Sequence, residues 1–149
     1  MSVAKQTDQG VIFEVPSDLG AIDRAVDLVL SWCQASRVDA RRLRLNLRVG
    51  LSEAIANAML YGNGRDPAKR VRIEVRCTTY QIVARVTDQG EGFDPSRVPD
   101  PTKPGCLKRP CGRGLFLMRK LLDEVHYNER GNSVTLILRS QTVSGEARI

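Results

Sequence analysis

The sequence predicts an α+β fold: a two-layer sandwich with helices packed on one face of a mostly antiparallel sheet. Three observations lead there. Apolar and polar residues alternate in VIFEVP (11–16), VRIEVRC (71–77), QIVARVTD (81–88) and VTLILR (134–139), which is the two-residue period of half-buried strands. Two segments before residue 62 and one after residue 113 instead carry apolar residues at the three- and four-residue spacing of helices. The 71–77 and 81–88 runs are joined by a short link, and VTLILR follows a short strand across a Gly131-Asn132 turn, so both form antiparallel hairpins.

In chain order, VIFEVP ends at Pro16 and forms a short first strand. Ser17 or Asp18 then caps a helix over residues 19–35, whose apolar positions Ile22, Val26, Val29, Leu30 and Cys33 recur at helical spacing, with Trp32 packed in the core. A second helix runs from Val38 or Asp39 through Tyr61 and stops at Gly62-Asn63-Gly64. Leu43, Leu47, Leu51, Ala54 and Ala58 give it a buried stripe, and Arg37, Arg41, Arg44 and Arg48 a basic one. Next comes the 71–88 hairpin, linked by Thr78-Thr79-Tyr80. From Gly90 to Gly112 periodicity disappears and Pro and Gly accumulate, the character of a functional loop or lid. GLFLMRKLLDEV (114–125) returns to helical spacing, and VHYNERGNSVTLILR gives two strands around a Gly131-Asn132 turn. The domain is read as 11–140, with 1–10 and 141–149 as flexible termini.

At 149 residues the chain forms one domain large enough for a substantial core. Its 23 Lys and Arg against 17 Asp and Glu leave a formal charge of +6, which favours anionic partners without naming one. No run is long and apolar enough to span a bilayer, and MSVAKQTDQG lacks the apolar core of a signal peptide. The expectation is a cytoplasmic protein with reduced thiols. Cys106, Cys111 and His126 invite a metal reading, but a fourth ligand at sensible spacing is missing, so free thiols are expected.

Three clusters bear on chemistry. Glu53 and Asn57 lie four apart in the otherwise apolar EAIANAMLYGNG, one turn apart on one helix face. Burying an unpaired carboxylate costs several kcal/mol, so Glu53 borders a cleft or has a partner. In DQGEGF (88–93), Asp88 closes a strand, and Gly90 and Gly92 permit close approach of a ligand. GRGL (112–115) opens a helix after a loop holding Lys103, Lys108 and Arg109, a setting that suits a polyphosphate. Each cluster alone also fits a plain turn or cap.

In order, E-x-x-x-N-A-x-x-Y-G-N, D-x-G-x-G-F, a long loop and G-x-G-L resemble the N, G1 and G2 boxes of the GHKL ATPase superfamily, with its Bergerat ATP-binding fold. NAMLYGN and GRGLFLMRKLLDEV look most like the bacterial anti-sigma-factor serine/threonine kinases. Tyr61 stands where many members have His. The resemblance covers residues 11 to 140 and implies ATP and Mg²⁺ as cofactors. Asn57 would hold Mg²⁺, Asp88 would accept from the adenine amino group, and Gly90 and Gly92 would let the chain pass beside the base. Gly112, Arg113 and Gly114 would cradle the phosphates, Leu115 completes that binding box, and Thr135 matches a threonine that reaches the adenine. Glu53 would be the catalytic base. The implied partners are a sigma factor and a phosphorylated anti-anti-sigma (STAS-domain) protein, with a homodimer expected, no membrane and direct nucleic-acid binding disfavoured. A non-enzymatic nucleotide-dependent switch using the same pocket is the competing reading, and a basic nucleic-acid-binding module a third. The arginine stripe reads either as a solvated helix face or as a docking surface for an acidic protein.

Overall fold

The structure, a computed structural model, describes residues 2–7, 10–91 and 113–140, and side chains over 10–34, 36–91 and 114–140. Six strands form one sheet: β1 (Ser2–Thr7), β2 (Gly10–Pro16), β3 (Arg70–Cys77), β4 (Gln81–Thr87), β5 (Glu124–Tyr127) and β6 (Ser133–Arg139). Their order is β1-β2-β3-β4-β6-β5, and every neighbouring pair is antiparallel.

Register follows from the alternation. Phe13, Ile73, Val86 and Val134 stand opposite one another across four strands, and Val11, Val75, Ala84, Leu136 and Val125 form a second row across five. A slip of one residue would turn each strand's apolar set outward, so burial of this face specifies the pairing. All these side chains are buried, in one core with the helices.

Helix α1 (Ile22–Trp32) is entered and left through single 3-10 turns at Leu19–Ala21 and Cys33–Ala35. Asp18 is the capping residue, its carboxylate accepting from the Gly20 N–H at 3.0 Å. The long helix α2 spans 40–62 and starts at Asp39, which accepts from the Arg41 N–H at 2.8 Å. It alternates α-helical turns, Ala40–Arg42 and Arg48–Asn57, with π-helical ones, Leu43–Leu47 and Ala58–Gly62. The expected stripe Leu43, Leu47, Leu51, Ala54 and Ala58 is buried. Helix α3 (Arg113–Leu121) carries Leu115, Met118 and, just past its end, Leu122 into the same core.

Two expectations change. Residues 1–10, expected to be a flexible terminus, instead supply β1, with Ser2–Thr7 lying on the outer side of β2. Helix α3, expected to reach Val125, ends at Leu121, whose carbonyl accepts from the Asn46 side-chain amide at 2.8 Å. By Asp123 the chain has joined the sheet, its N–H donating to the Ile137 carbonyl at 2.9 Å, so Val125 pairs with Leu136. Leu121, Leu122 and Val125 satisfy helical spacing equally well, and tertiary pairing decides between the two.

Candidate functional site

The site is built along α2, with one cluster at its C-terminal end and another nine residues earlier. Asp88 directly follows β4. Being two residues beyond the buried Val86, it turns its side chain toward the helix layer. Its N–H donates to the Asn132 carbonyl at 2.9 Å, holding it level with the turn before β6. The carboxylate is buried, and its Oδ1 accepts from the Gly90 N–H at 2.8 Å. Two glycines close the cluster: a Cβ on Gly62 would collide with the Asp88 carboxylate, and one on Gly90 with the Gly62 carbonyl. The end of α2 and the segment after β4 therefore meet backbone to backbone, an approach only glycine permits.

A residue without an assigned role in the sequence holds this junction together. Asn63 is buried; its Oδ1 accepts from the Gln89 N–H at 2.7 Å, while its Nδ2 donates to Ser17 Oγ at 2.9 Å and to the Arg70 carbonyl at 3.0 Å. Gln89 in turn ties to β3, its Oε1 accepting from the Arg70 N–H at 2.6 Å. Asn63 thus sets where Asp88 and Gly90 sit relative to α2. Its signal in the sequence is that it closes E-x-x-x-N-A-x-x-Y-G-N directly after a helix-stopping glycine, which names none of these partners.

Glu53 and Asn57 form the other cluster, both half-buried on α2. Gly114, in the first turn of α3, lies directly against them: a Cβ there would stand 2.5 Å from Glu53 Oε1 and 2.6 Å from Asn57 Nδ2. The fold so brings EAIAN and GRGL together, although 57 residues separate Asn57 from Gly114. The N-terminal turn of α3, where backbone N–H groups lack helical partners, is delivered to this carboxylate and amide. The two clusters are offset along α2, Asn57 lying five and Glu53 nine residues before Gly62.

Not every expected residue lies there. Leu115 is buried among core residues and acts as the anchor of α3 rather than as lining. Thr135 is on the wrong side of the sheet. It alternates with the core residues Val134 and Leu136, and it stands in register between the exposed Arg85 and His126, on the face opposite the helices. Arg113 begins α3. Gly92 and Gly112, like Lys103, Lys108, Arg109, Cys106 and Cys111, lie outside the described residues.

His126 pairs with Glu124 at 2.7 Å, and no group of three His, Cys, Asp or Glu side chains suited to a metal occurs among the described residues. The side-chain oxygen of Asn57 is a hard donor that fits Mg²⁺ with waters and phosphates completing its shell, and the Glu53 carboxylate stands one helical turn before it. In the basic stripe, Arg48 is paired with Asp27 of α1 at 2.7 Å, whereas Arg37, Arg41 and Arg44 are exposed. No helix among the described residues is long and apolar enough to cross a membrane.

Compared with known families, residues 15–138 match the model of the histidine kinase-like ATPase domain. No curated protein matches the chain.

Proposed function

The chain belongs to the histidine kinase-like ATPase domain family, and from that premise we propose that it is an ATP-dependent serine/threonine protein kinase of the anti-sigma-factor type. The observation that carries the reading is the pairing of two clusters along one helix, Asp88 with Gly62 and Gly90 at one end, Glu53 and Asn57 with Gly114 at the other. Adenine would enter beside Asp88. There the carboxylate accepts from the exocyclic amino group, whereas the carbonyl of guanine would face it with a second acceptor. Because Gly62 and Gly90 lack Cβ atoms, the end of α2 can lie directly against that carboxylate. At the far end the phosphates would lie against the first turn of α3, whose N–H groups and positive dipole end favour anions.

Asn57 would hold Mg²⁺, which supplies neutralisation of the phosphate charge. Glu53 is one turn away and takes the proton of the substrate hydroxyl as its oxygen attacks the γ-phosphorus; the bond to the β-phosphate oxygen breaks and ADP leaves. The protein substrate would be a serine or threonine of an anti-anti-sigma (STAS-domain) protein, with a sigma factor held in the alternate state and a homodimer as the working unit. The exposed Arg37, Arg41 and Arg44 offer such partners a basic surface.

Calorimetry tests the pocket first: ATP, ADP and GTP, with and without Mg²⁺, on the wild type and on Asp88→Asn. The expected result is adenine-selective binding that weakens at least tenfold in the variant, whose amide can no longer act only as an acceptor. Equal affinity for GTP would refute the assignment of Asp88. Glu53→Gln then separates a kinase from a nucleotide switch. That variant should bind ATP as tightly as the wild type yet transfer phosphate from labelled ATP to a STAS-domain substrate at least a hundredfold more slowly; an undiminished rate would exclude Glu53 as the base.

A further inference from the structure

Two thiols meet at the opposite end of the sheet. Cys33 directly follows α1 and Cys77 is the last residue of β3; they are 44 positions apart in the chain, and their Sγ atoms lie 2.8 Å from each other. Cys77 stands opposite Ile82 in the ladder, whereas the strand end that neighbours Asp88 is the one where Arg72 meets Thr87. The pair therefore belongs to neither cluster of the nucleotide site. Both cysteines are free thiols. Cys33 is wholly buried in the core and Cys77 is only partly covered, so the two differ in access to solutes.

The surroundings also divide their chemistry. The hydrogen bond to Cys77, reinforced by burial, pushes the Cys33 thiol far above the ordinary thiol range. The same bond, with Cys33 as donor, stabilises a thiolate on Cys77 and lowers its pKa against the opposing effect of burial. The more accessible sulfur is thus also the more nucleophilic, and thiolate character with access is what governs oxidation.

We propose that Cys33 and Cys77 form an oxidation site, a dithiol that a peroxide converts into a disulfide clamping the end of α1 to the end of β3. The Cys77 thiolate attacks one peroxide oxygen, the O–O bond breaks, and Cys77 becomes a sulfenic acid with release of water after proton uptake. Cys33 sulfur then attacks Cys77 sulfur, the S–O bond breaks, and the thiol proton leaves with the hydroxide as a second water. Overall two thiols and one hydrogen peroxide give one disulfide and two waters. Closing the S···S separation to about 2.0 Å requires only a small inward movement of side chains already in contact.

The test uses the full chain carrying Cys106→Ser and Cys111→Ser, so that only this pair can react, exposed to hydrogen peroxide and quenched with an alkylating agent. Mass spectrometry is expected to find loss of two hydrogens, no alkylation, and a linked peptide joining Cys33 to Cys77. Dithiothreitol should reverse all three, and the bridged form should melt at a higher temperature than the reduced form. Adding Cys33→Ala removes the resolving thiol, and Cys77 should then persist as a sulfenic acid that dimedone traps. Two thiols that remain fully alkylated after peroxide, or oxygen added to Cys77 as sulfinic acid while Cys33 stays alkylated, would overturn the proposal.

Discussion

Asn63 concentrates the tertiary logic of the site in one side chain. It accepts from Gln89 and donates to both Ser17 and Arg70, so it joins the end of α2, the cap region of α1, the start of β3 and the segment carrying Asp88. Asn63→Ala removes all three bonds and leaves the Gln89 N–H and the Arg70 carbonyl without these partners. Urea denaturation should show a loss of about 2–3 kcal/mol, and adenine-nucleotide affinity, measured by calorimetry on the folded variant, should fall as Asp88 loses its support. Asn63→Asp keeps an acceptor for Gln89 but sets a carboxylate against the Arg70 carbonyl, and should be at least as destabilising. Neighbouring residue types make Glu53, Asn57 and Asp88 legible as candidates in the sequence: a carboxylate and an amide in an apolar helix, and an acid closing an apolar strand. Asn63 is illegible there because its partners come from three other segments.

Among the elements, α2 departs furthest from a regular helix. Its second π-helical turn, Ala58–Gly62, begins immediately after Asn57, and the Asn63 N–H reaches back five residues to the Ala58 carbonyl at 2.7 Å. Widened turns of this kind occur frequently at functional sites, and here the turn delivers Gly62 to Asp88. The helix is then reversed by two consecutive left-handed residues, Gly64 (φ 59°) and Arg65 (φ 64°). No atom would obstruct a Cβ on Gly64, so Gly64→Ala isolates the backbone cost. It should destabilise the protein by about 1 kcal/mol in equilibrium unfolding, with ligand affinity retained. Helical spacing locates α2 to within a residue or two at both ends, but it carries no information on π turns, which preserve a buried stripe while rotating the residues beyond them about the helix axis. The same limit explains α3, where Leu122 and Val125 fit a helix by period and a strand by contact.

At the scale of the whole molecule, one core holds the site's two halves at a set distance. Leu136 is fully buried on β6, one strand in from the sheet edge, with Ala84 on one side and Val125 on the other. Leu136→Ala should cost about 2–5 kcal/mol through lost burial and the cavity left behind, read as a lower urea midpoint with an unchanged slope. Surface charge matters less: exposed pairs such as Arg48 with Asp27 each contribute about 0.2–1 kcal/mol. The order of alternating and helical periods in the chain was enough to determine the layered α+β class, the antiparallel hairpins and which face of each element is apolar, because those properties depend on residues two to four apart. The glycine-bearing boxes likewise announced themselves locally. Only the tertiary structure decided that Gly114 rests on Glu53 and Asn57, that Gly62 rests on Asp88, that Thr135 lies behind the sheet and that Cys33 meets Cys77. Those relations join residues tens of positions apart, and they are selected by simultaneous burial of every apolar face, a condition no short window of sequence contains.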